Sequence, residues 1–192
     1  RLRERERPSI VRHAPKGWRR NARPSSAPST PIWQIFNIWL LSDPTMPASV
    51  HINEKLALRV QHHTGRLRLS EFANLMDHYR SNPRVFRFDV IHLLDETSSF
   101  AFGPEEIPQL KSRFAELIKA AQLPIVLRSA WVCPSPNAWN VLEAWLFERH
   151  SLDGLHTEAS LVGRLEEART IFDADELDAV RSMRGFRPYF ST

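Results

Sequence analysis

Apolar and polar residues alternate in two short segments, 49–53 and 56–62, and this alternation predicts a pair of β-strands. The apolar members are Val50, Ile52, Leu56, Leu58 and Val60. Residues two apart in a strand point to the same side of a sheet. For both sets to share that side, Ile52 must pair with Leu56 across a loop of residues 53–55. The pattern therefore predicts an antiparallel hairpin with one buried face.

Apolar spacing further along the chain predicts strands that alternate with helices. Helices are predicted over 70–80, 104–121, from 136 onward, 164–172 and 174–183. Strands are predicted over 86–94, 125–133 and 155–161. Pro104 and Pro136 suit the first position of a helix. The order predicts an α/β fold whose central sheet is mixed but mostly parallel, with an opening β-hairpin and packed amphipathic helices. The expected core is Leu58, Val60, Phe88, Val90, Leu110, Phe114, Leu117 and Ile125.

Charge divides the chain into two parts. Residues 1–45 contain nine basic and three acidic residues, a net charge of +6, together with six of the fourteen prolines. This composition favours a disordered N-terminal tail followed by a domain over 46–192. The favoured interpretation of 1–45 is that these residues are not native protein, because Met46 is the first methionine. A phosphate- or membrane-contacting arm and a targeting segment are the alternatives.

The composition of residues 46–192 excludes several function classes. Their net charge is −2, which argues against nucleic-acid binding by the folded domain. No apolar run reaches the roughly eighteen residues of a membrane span. The chain has one cysteine and six glycines, and it lacks the glycine-rich phosphate-binding and nucleophile-elbow motifs. We therefore expect no cofactor, no metal and no catalytic set.

From Val50 to about Phe172 the chain resembles the STAS-like (anti-sigma-factor-antagonist-like) domains, in particular a bacterial branch of unknown function. The shared features are the hairpin that ends near Gly65, the Asn82-Pro83 step after the first helix, a strand ending in Asp95, the long helix over 104–121 and the run Glu166-Glu167-Ala168. The resemblance implies a non-catalytic, cytoplasmic domain that works by recognising a protein partner, without a cofactor. A weak homo-oligomer stays open.

The resemblance also points to a working surface, the loop between the strand ending at Asp95 and the long helix. Its candidate partner-binding residues are Asp95, Glu96, Ser98, Ser99, Phe100 and Phe102. Well-studied members of the family carry a phosphorylated hydroxyl at the start of this helix. Here that place reads Phe-Gly-Pro-Glu-Glu over 102–106, so a phosphorylation switch is not carried over. We expect exposed hydroxyls and aromatic rings that bind a partner directly.

Three further residue groups give alternative chemistry. Trp131, Trp139 and Trp145 lie close together in the sequence. They predict, as an alternative function, a pocket that binds an apolar, lipid-like ligand, in a protein that acts near a membrane. Cys133 ends a predicted strand, where burial as a small apolar residue is the favoured interpretation. His62 and His63 are adjacent in a strand and must point to opposite faces, so they cannot both bind one metal. His51, across the hairpin, could join one of them, but no metal-binding spacing supports a site.

Overall fold

The computed structural model describes residues 48–121, 125–147 and 155–191. They form an α/β fold around a six-stranded sheet with strand order β7-β6-β4-β2-β1-β8. The strands are β1 Ala48–Asn53, β2 Leu58–His63, β4 Asp89–Leu94, β6 Ile125–Val132, β7 Leu155–Val162 and β8 Arg187–Ser191. A separate two-stranded ladder joins β3, Arg66–Leu67, to β5, Ser99–Phe100. The predicted tail, residues 1–45, lies outside the described residues.

In the described part of the chain, four α-helices connect these strands. They are α1 Leu69–Ser81, α2 Ile107–Ala121, α3 Pro136–Leu146 and α4 Ala174–Ser182. Short 3₁₀ helices cover Pro83–Arg87, Pro104–Glu106 and Leu165–Thr170. Among the described helices, none has the length and apolar character that crossing a membrane requires.

Strand directions confirm the predicted mixed, mostly parallel sheet. β2, β4, β6 and β7 pair in parallel, whereas β1 is antiparallel to both of its neighbours, β2 and β8. The connections β2–α1–β4, β4–α2–β6 and β6–α3–β7 each step one strand along the sheet in the same direction. Right-handed crossovers of one direction place their helices on one face, and α1, α2 and α3 share one buried apolar cluster on that face.

The hairpin prediction was wrong in its register and in its burial. Ile52 pairs with Arg59, and Asn53 pairs with Leu58, so four residues connect the strands. Val50 and Ile52 therefore share the face of Arg59 and Gln61, whereas Leu58 and Val60 point the other way. Both faces of the hairpin are buried, because α4 and the segment Leu165–Thr170 cover the side opposite α1 to α3. Successive side chains of the hairpin therefore enter two different buried clusters, one on each face of the sheet, and neither face is exposed to solvent.

Other differences lie at strand ends. The predicted strand 86–94 begins only at Asp89, because Pro83 starts a 3₁₀ turn that runs to Arg87. Phe86 is buried in this turn, while Phe88, predicted as core, is only half-buried. The other seven predicted core residues are buried. Strands β3, β5 and β8 were not predicted, and the helix predicted from 104 starts as a 3₁₀ turn that continues into α2.

An ion-pair network attaches α4 to the sheet. The Arg128 guanidinium donates from Nε to Asp89 Oδ2 at 2.7 Å and from Nη2 to Glu176 Oε1 at 2.6 Å. Its Cζ lies 4.8 Å from the centre of the Phe172 ring. Glu176 also caps α4, since its Oε2 accepts the Asp173 N–H at 2.9 Å. A single carboxylate thus fixes both the helix start and its position on the sheet.

Candidate functional site

The candidate site lies where β2, β4 and β6 reach their carboxyl ends. In parallel sheets these ends meet at one edge, and ligands of α/β proteins bind there. The chain leaves β4 at Leu94 and passes through Asp95 to Gly103 before the turn that starts α2. We call residues 95–103 the β4–α2 loop. It contains all six candidate partner-binding residues.

The first half of the β4–α2 loop is a tight hydrogen-bonded turn. Asp95 Oδ1 accepts from Thr97 N at 2.9 Å, Thr97 Oγ1 at 2.8 Å and Ser98 Oγ at 2.8 Å. Ser98 Oγ also accepts the Asp95 N–H at 3.1 Å and lies 2.9 Å from the His63 carbonyl oxygen. A carboxylate that accepts from residues two and three positions later is a common way to close a turn. Asp95 therefore holds the loop and does not project from it.

The second half of the loop is held by the β3–β5 ladder. Ser99 pairs with Arg66, and Phe100 pairs with Leu67, in parallel register. The Ser99 N–H donates to the Gly65 carbonyl at 3.0 Å, and the Ala101 N–H donates to the Leu67 carbonyl at 2.8 Å. Gly65 has φ +65°, a left-handed conformation that glycine adopts without strain. The turn after β2 and the loop after β4 are thus joined as one unit.

Burial of the loop differs from the prediction. Ser98 is buried, with 1% of its surface exposed, so its hydroxyl is internal. Ser99, Phe100 and Phe102 are half-buried, whereas Glu96 and Thr97 in the turn and Ala101 between the two phenylalanines are exposed. The expectation of presented hydroxyls and free aromatic rings is therefore wrong for Ser98 and for both phenylalanines. The polar side chains of a tight turn were needed to satisfy the turn itself.

The two phenylalanines turn inward and help to form an apolar crevice. Phe100 and Phe102 lie with ring centres 5.2 Å apart, and each lies within 6.0 Å of the Phe72 ring on α1. We call this space the aromatic crevice; its lining residues are Phe72, Phe100, Phe102, Ile107, Leu110, Trp131, Val141, Leu142 and Trp145. Its volume is about 20 Å³, close to the space that one water molecule needs.

Two predicted sites therefore meet in one place. The loop residues Phe100 and Phe102 and the tryptophans Trp131 and Trp145 line the same crevice. Trp139 does not, because it lies to the side of α3 and donates its indole N–H to the Cys133 carbonyl at 3.0 Å. The sequence could not predict that these residues line one crevice, because the lining comes from five separate elements: α1, the β4–α2 loop, α2, β6 and α3.

A row of aromatic rings lies behind the crevice on the same face of the sheet. The His92 imidazole stacks on the Trp131 indole with ring centres 3.6 Å apart and an angle of 8° between planes. His63 stacks between Phe72 and Trp131 at 5.9 and 6.0 Å. Burial, together with the smaller effect of the charge of His62, lowers the pKa of His63 to about 3. His92 and Phe72 were not singled out from the sequence, and His63 was considered there only as a metal ligand.

The remaining candidates carry little independent chemistry. Cys133 is fully buried, its thiol donates to the Ser135 carbonyl at 3.3 Å, and burial raises its pKa. This is the expected inert position and not that of an activated nucleophile. His62 and His63 do point to opposite faces, and His51 shares the face of His62. Within the described ranges, no three His, Cys, Asp or Glu side chains are grouped as metal ligands.

Comparisons with protein-family models, with curated proteins and with solved structures found no match for this chain.

Proposed function

We propose that this domain is a non-catalytic recognition module of the STAS-like kind, and that it binds a protein partner at the outer rim of the β4–α2 loop. The proposal is supported by the order of elements from the opening hairpin to α3, which is the order on which the sequence resemblance rests. It is also supported by the position of the loop at the carboxyl ends of parallel strands, where α/β domains present their binding residues.

The observation that carries the proposal is that the loop is already fixed in one shape. Asp95 and Ser98 close its turn, β5 pairs with β3, and the phenylalanines anchor its underside in the aromatic crevice. A surface loop that is held by three independent sets of contacts loses little conformational freedom when a partner binds it. Such pre-organisation is what a recognition surface needs and exceeds what a simple connection requires.

The chemistry of the rim defines the kind of partner. Glu96 and Glu105 are exposed, and so is Thr97, which follows Glu96 within the closed turn. Asp95 and Glu106 are half-buried behind them, the latter because its Oε2 accepts the Gly103 N–H at 2.7 Å. Glu96 and Glu105 therefore give this side of the loop two exposed acidic groups, which fit a basic surface on the partner. The contact residues are Glu96, Thr97 and Glu105, while Ser98, Phe100 and Phe102 support them from beneath.

Charge reversal at the rim tests the proposal without disturbing its supports. Proteins captured from an extract of the source organism by the full chain are compared with those captured by Glu96→Lys combined with Glu105→Lys. Both side chains are exposed, so the melting temperature should change little. The matched control is Asp77→Lys combined with Asp178→Lys, which reverses two exposed carboxylates on α1 and α4.

The expected result is a partner that the wild-type chain and the control capture and that the rim variant loses. Its binding should weaken as salt is added, because exposed charge pairs are screened. A partner captured equally by all three proteins would show that the rim is not the binding surface. Binding to the rim variant alone would show that the acidic charge opposes the interaction.

The aromatic crevice supports a second candidate, a small apolar ligand. Its lining is carbon apart from the two indole groups, and the Trp131 N–H has no hydrogen-bond partner among the described residues. A ligand larger than about one water molecule would have to displace Phe100 or Phe102. Native mass spectrometry of the full chain tests this candidate: a co-purified apolar molecule that Trp131→Phe fails to retain would support it. A spectrum that shows only the mass of the chain, with no increase in mass when a fatty acid is added, would contradict this candidate.

A further inference from the structure

β7 is the last described strand on its side of the sheet, and no described residue pairs with its outer edge. The Val162 carbonyl accepts the Cys133 N–H at 2.8 Å, so the backbone polar groups of Val162 face β6. Those of alternate residues in a strand face the same way, which places the groups of Ser160 and Glu158 toward β6 as well. The N–H and C=O groups of Thr157, Ala159 and Leu161 therefore point away from the sheet. No described strand pairs with them.

The other edge of the sheet carries the features that usually prevent further pairing. β8 contains Arg187 and Pro188, and its register with β1 is interrupted between Val50 and His51. Charged residues, proline and bulges on an edge strand discourage the addition of another strand. β7 has eight residues, no proline, no lysine and no arginine, and Glu158 is its one charged residue. The sheet is thus protected at one edge and receptive at the other.

Helix α3 adds an apolar ridge beside the open edge. Trp145 faces α2, since its ring packs 5.6 Å from that of Phe114. Trp139 and Leu146 lie about a third of a turn further round α3, on the side away from α2. Both are half-buried and pack around the same buried cluster as Leu161 of β7. Apolar surface of this kind beside an unpaired strand is typical of an interface.

We propose that β7 pairs in antiparallel fashion with β7 of a second copy of this chain, and that Ala159 lies on the two-fold axis. A two-fold axis perpendicular to the sheet keeps each face on its own side, so residues with outward-facing backbone groups pair with one another. Ala159 then pairs with Ala159, and Thr157 pairs with Leu161. Glu158 meets Ser160 in this register. Of the two neighbouring registers, the one with Thr157 opposite Ala159 would place Glu158 opposite Glu158, which is unfavourable. The one with Ala159 opposite Leu161 would pair only residues 158–162 of the strand, whereas the proposed register pairs 156–162.

The ridge on α3 completes the interface. A pair of strands alone falls short of the roughly 1,200–2,000 Å² that a specific, stable interface buries. The two-fold axis brings the α3 ridges of both copies to the same face of a continuous twelve-stranded sheet, twice the six strands of one copy. Trp139 and Leu146 then supply the apolar contact that the backbone hydrogen bonds lack. This assigns to Trp139 a role that the aromatic crevice does not give it.

The molar mass of the full chain, measured by sedimentation across a range of concentrations, tests the proposal. The wild-type chain is expected to form dimers, and Ala159→Pro should raise the dissociation constant by about tenfold or more. Proline removes only the outward-facing N–H of residue 159, so pairing with β6 is kept. The matched control is Ala159→Thr, which keeps that N–H and suits a strand.

A second variant keeps the test decisive if the proline disturbs the fold. Ala159 is exposed, so Ala159→Lys should fold normally while placing two positive charges opposite each other at the axis. Its dimer should be weaker than wild type at low salt and should recover as salt is added. A full chain that stays monomeric at every concentration would overturn the proposal. A dimer that neither variant weakens would also overturn it. The same holds for a full chain that dimerises only when residues 1–47 are removed, because the chain's own segment would then cover the edge.

Discussion

His63 and His92 lie side by side on the face of the sheet that α1 to α3 cover, with His63 Nε2 3.4 Å from His92 Nδ1. His63 belongs to β2 and His92 to the adjacent β4, and both side chains are buried. One of the two nitrogens must carry a proton and the other must accept it. The pair is therefore compatible with two neutral rings, and protonation of either would introduce a charge into an apolar interior.

We expect this pair to make the fold sensitive to acid. Burial lowers the pKa of folded His63 to about 3 from its ordinary value of 6.5, so the unfolded chain binds the proton more readily. The stability that this histidine contributes is complete above about pH 6.5 and is lost as the pH falls toward 3, in total on the order of 4–5 kcal/mol. Burial also lowers the pKa of His51 and His62, which adds to the loss.

Chemical denaturation at several pH values measures this effect. His63→Phe should flatten the dependence of the unfolding free energy on pH between 4 and 6.5, whatever it does to stability at pH 7. In an NMR titration the ring protons of wild-type His63 should show no titration near pH 6.5. A normal titration there would mean that the ring is hydrated and that the stack with Phe72 and Trp131 is open.

Phe114→Ala should cost about 3–5 kcal/mol of unfolding free energy. The side chain is 6% exposed and packs edge-on against Phe86 and Trp145, so its removal leaves a cavity between α2, α3 and the turn before β4. Urea denaturation of the wild type and the variant gives the difference. A cost below about 1 kcal/mol would indicate that the neighbouring rings collapse into the space.

The double change Phe100→Ala with Phe102→Ala should weaken the fold as well as the loop. Both rings are half-buried and pack on Phe72 and in the wall of the aromatic crevice. We expect a combined loss of roughly 2–5 kcal/mol, below the sum for two fully buried phenylalanines. Thermal melting measures it. An unchanged melting temperature would restore the sequence-based expectation that the two rings are free to contact a partner.

Glu176→Gln should destabilise the domain by about 1–2 kcal/mol, because it removes the charge that accepts from Arg128 while the shape is kept. The matched control is Asp178→Asn, which removes an exposed pair with Arg181 and should change stability by less than about 0.5 kcal/mol. Equal effects of the two changes would show that the Arg128 network contributes no more than an ordinary surface pair.

The features that the sequence predicted are those with local signals. Pro104 and the spacing of Leu110, Phe114 and Leu117 were enough to place α2 within a turn, and Asn82-Pro83 ended α1 as expected. The class of fold followed from the alternation of such elements. β8 was missed because Arg187 and Pro188 argue against a strand, although they suit an edge.

The candidate site needed information that no single segment carries. The aromatic crevice joins Phe72, Phe100, Trp131 and Trp145 from four elements, and their meeting depends on the sheet register. The hairpin register was misjudged because Leu58 and Val60 are as apolar as Val50 and Ile52, and nothing local indicates that two opposite faces are both covered. The loop was correctly located, but which of its side chains point outward depends on its internal hydrogen bonds.

Ser98 and Ser99 provide the sharpest test of those bonds, because they are adjacent and chemically identical. Ser98 Oγ accepts the Asp95 N–H and lies within hydrogen-bond distance of the His63 carbonyl and Asp95 Oδ1, all in a buried position. Ser99 is half-buried, and its pairing with Arg66 uses the backbone. Ser98→Ala should therefore cost about 1–3 kcal/mol, since it leaves buried polar groups without their partner. Ser99→Ala should change stability by less than about 0.5 kcal/mol.

The burial of Ser98 also means that a protein kinase should not modify it in the folded chain, because a phosphate there would have to enter a closed turn beside the Asp95 carboxylate. Denaturation of both variants and phosphate incorporation into native and unfolded chains are the measurements. Equal costs for the two variants, or ready phosphorylation of native Ser98, would mean that the turn opens and that the β4–α2 loop is not the pre-formed surface on which partner binding is proposed to depend.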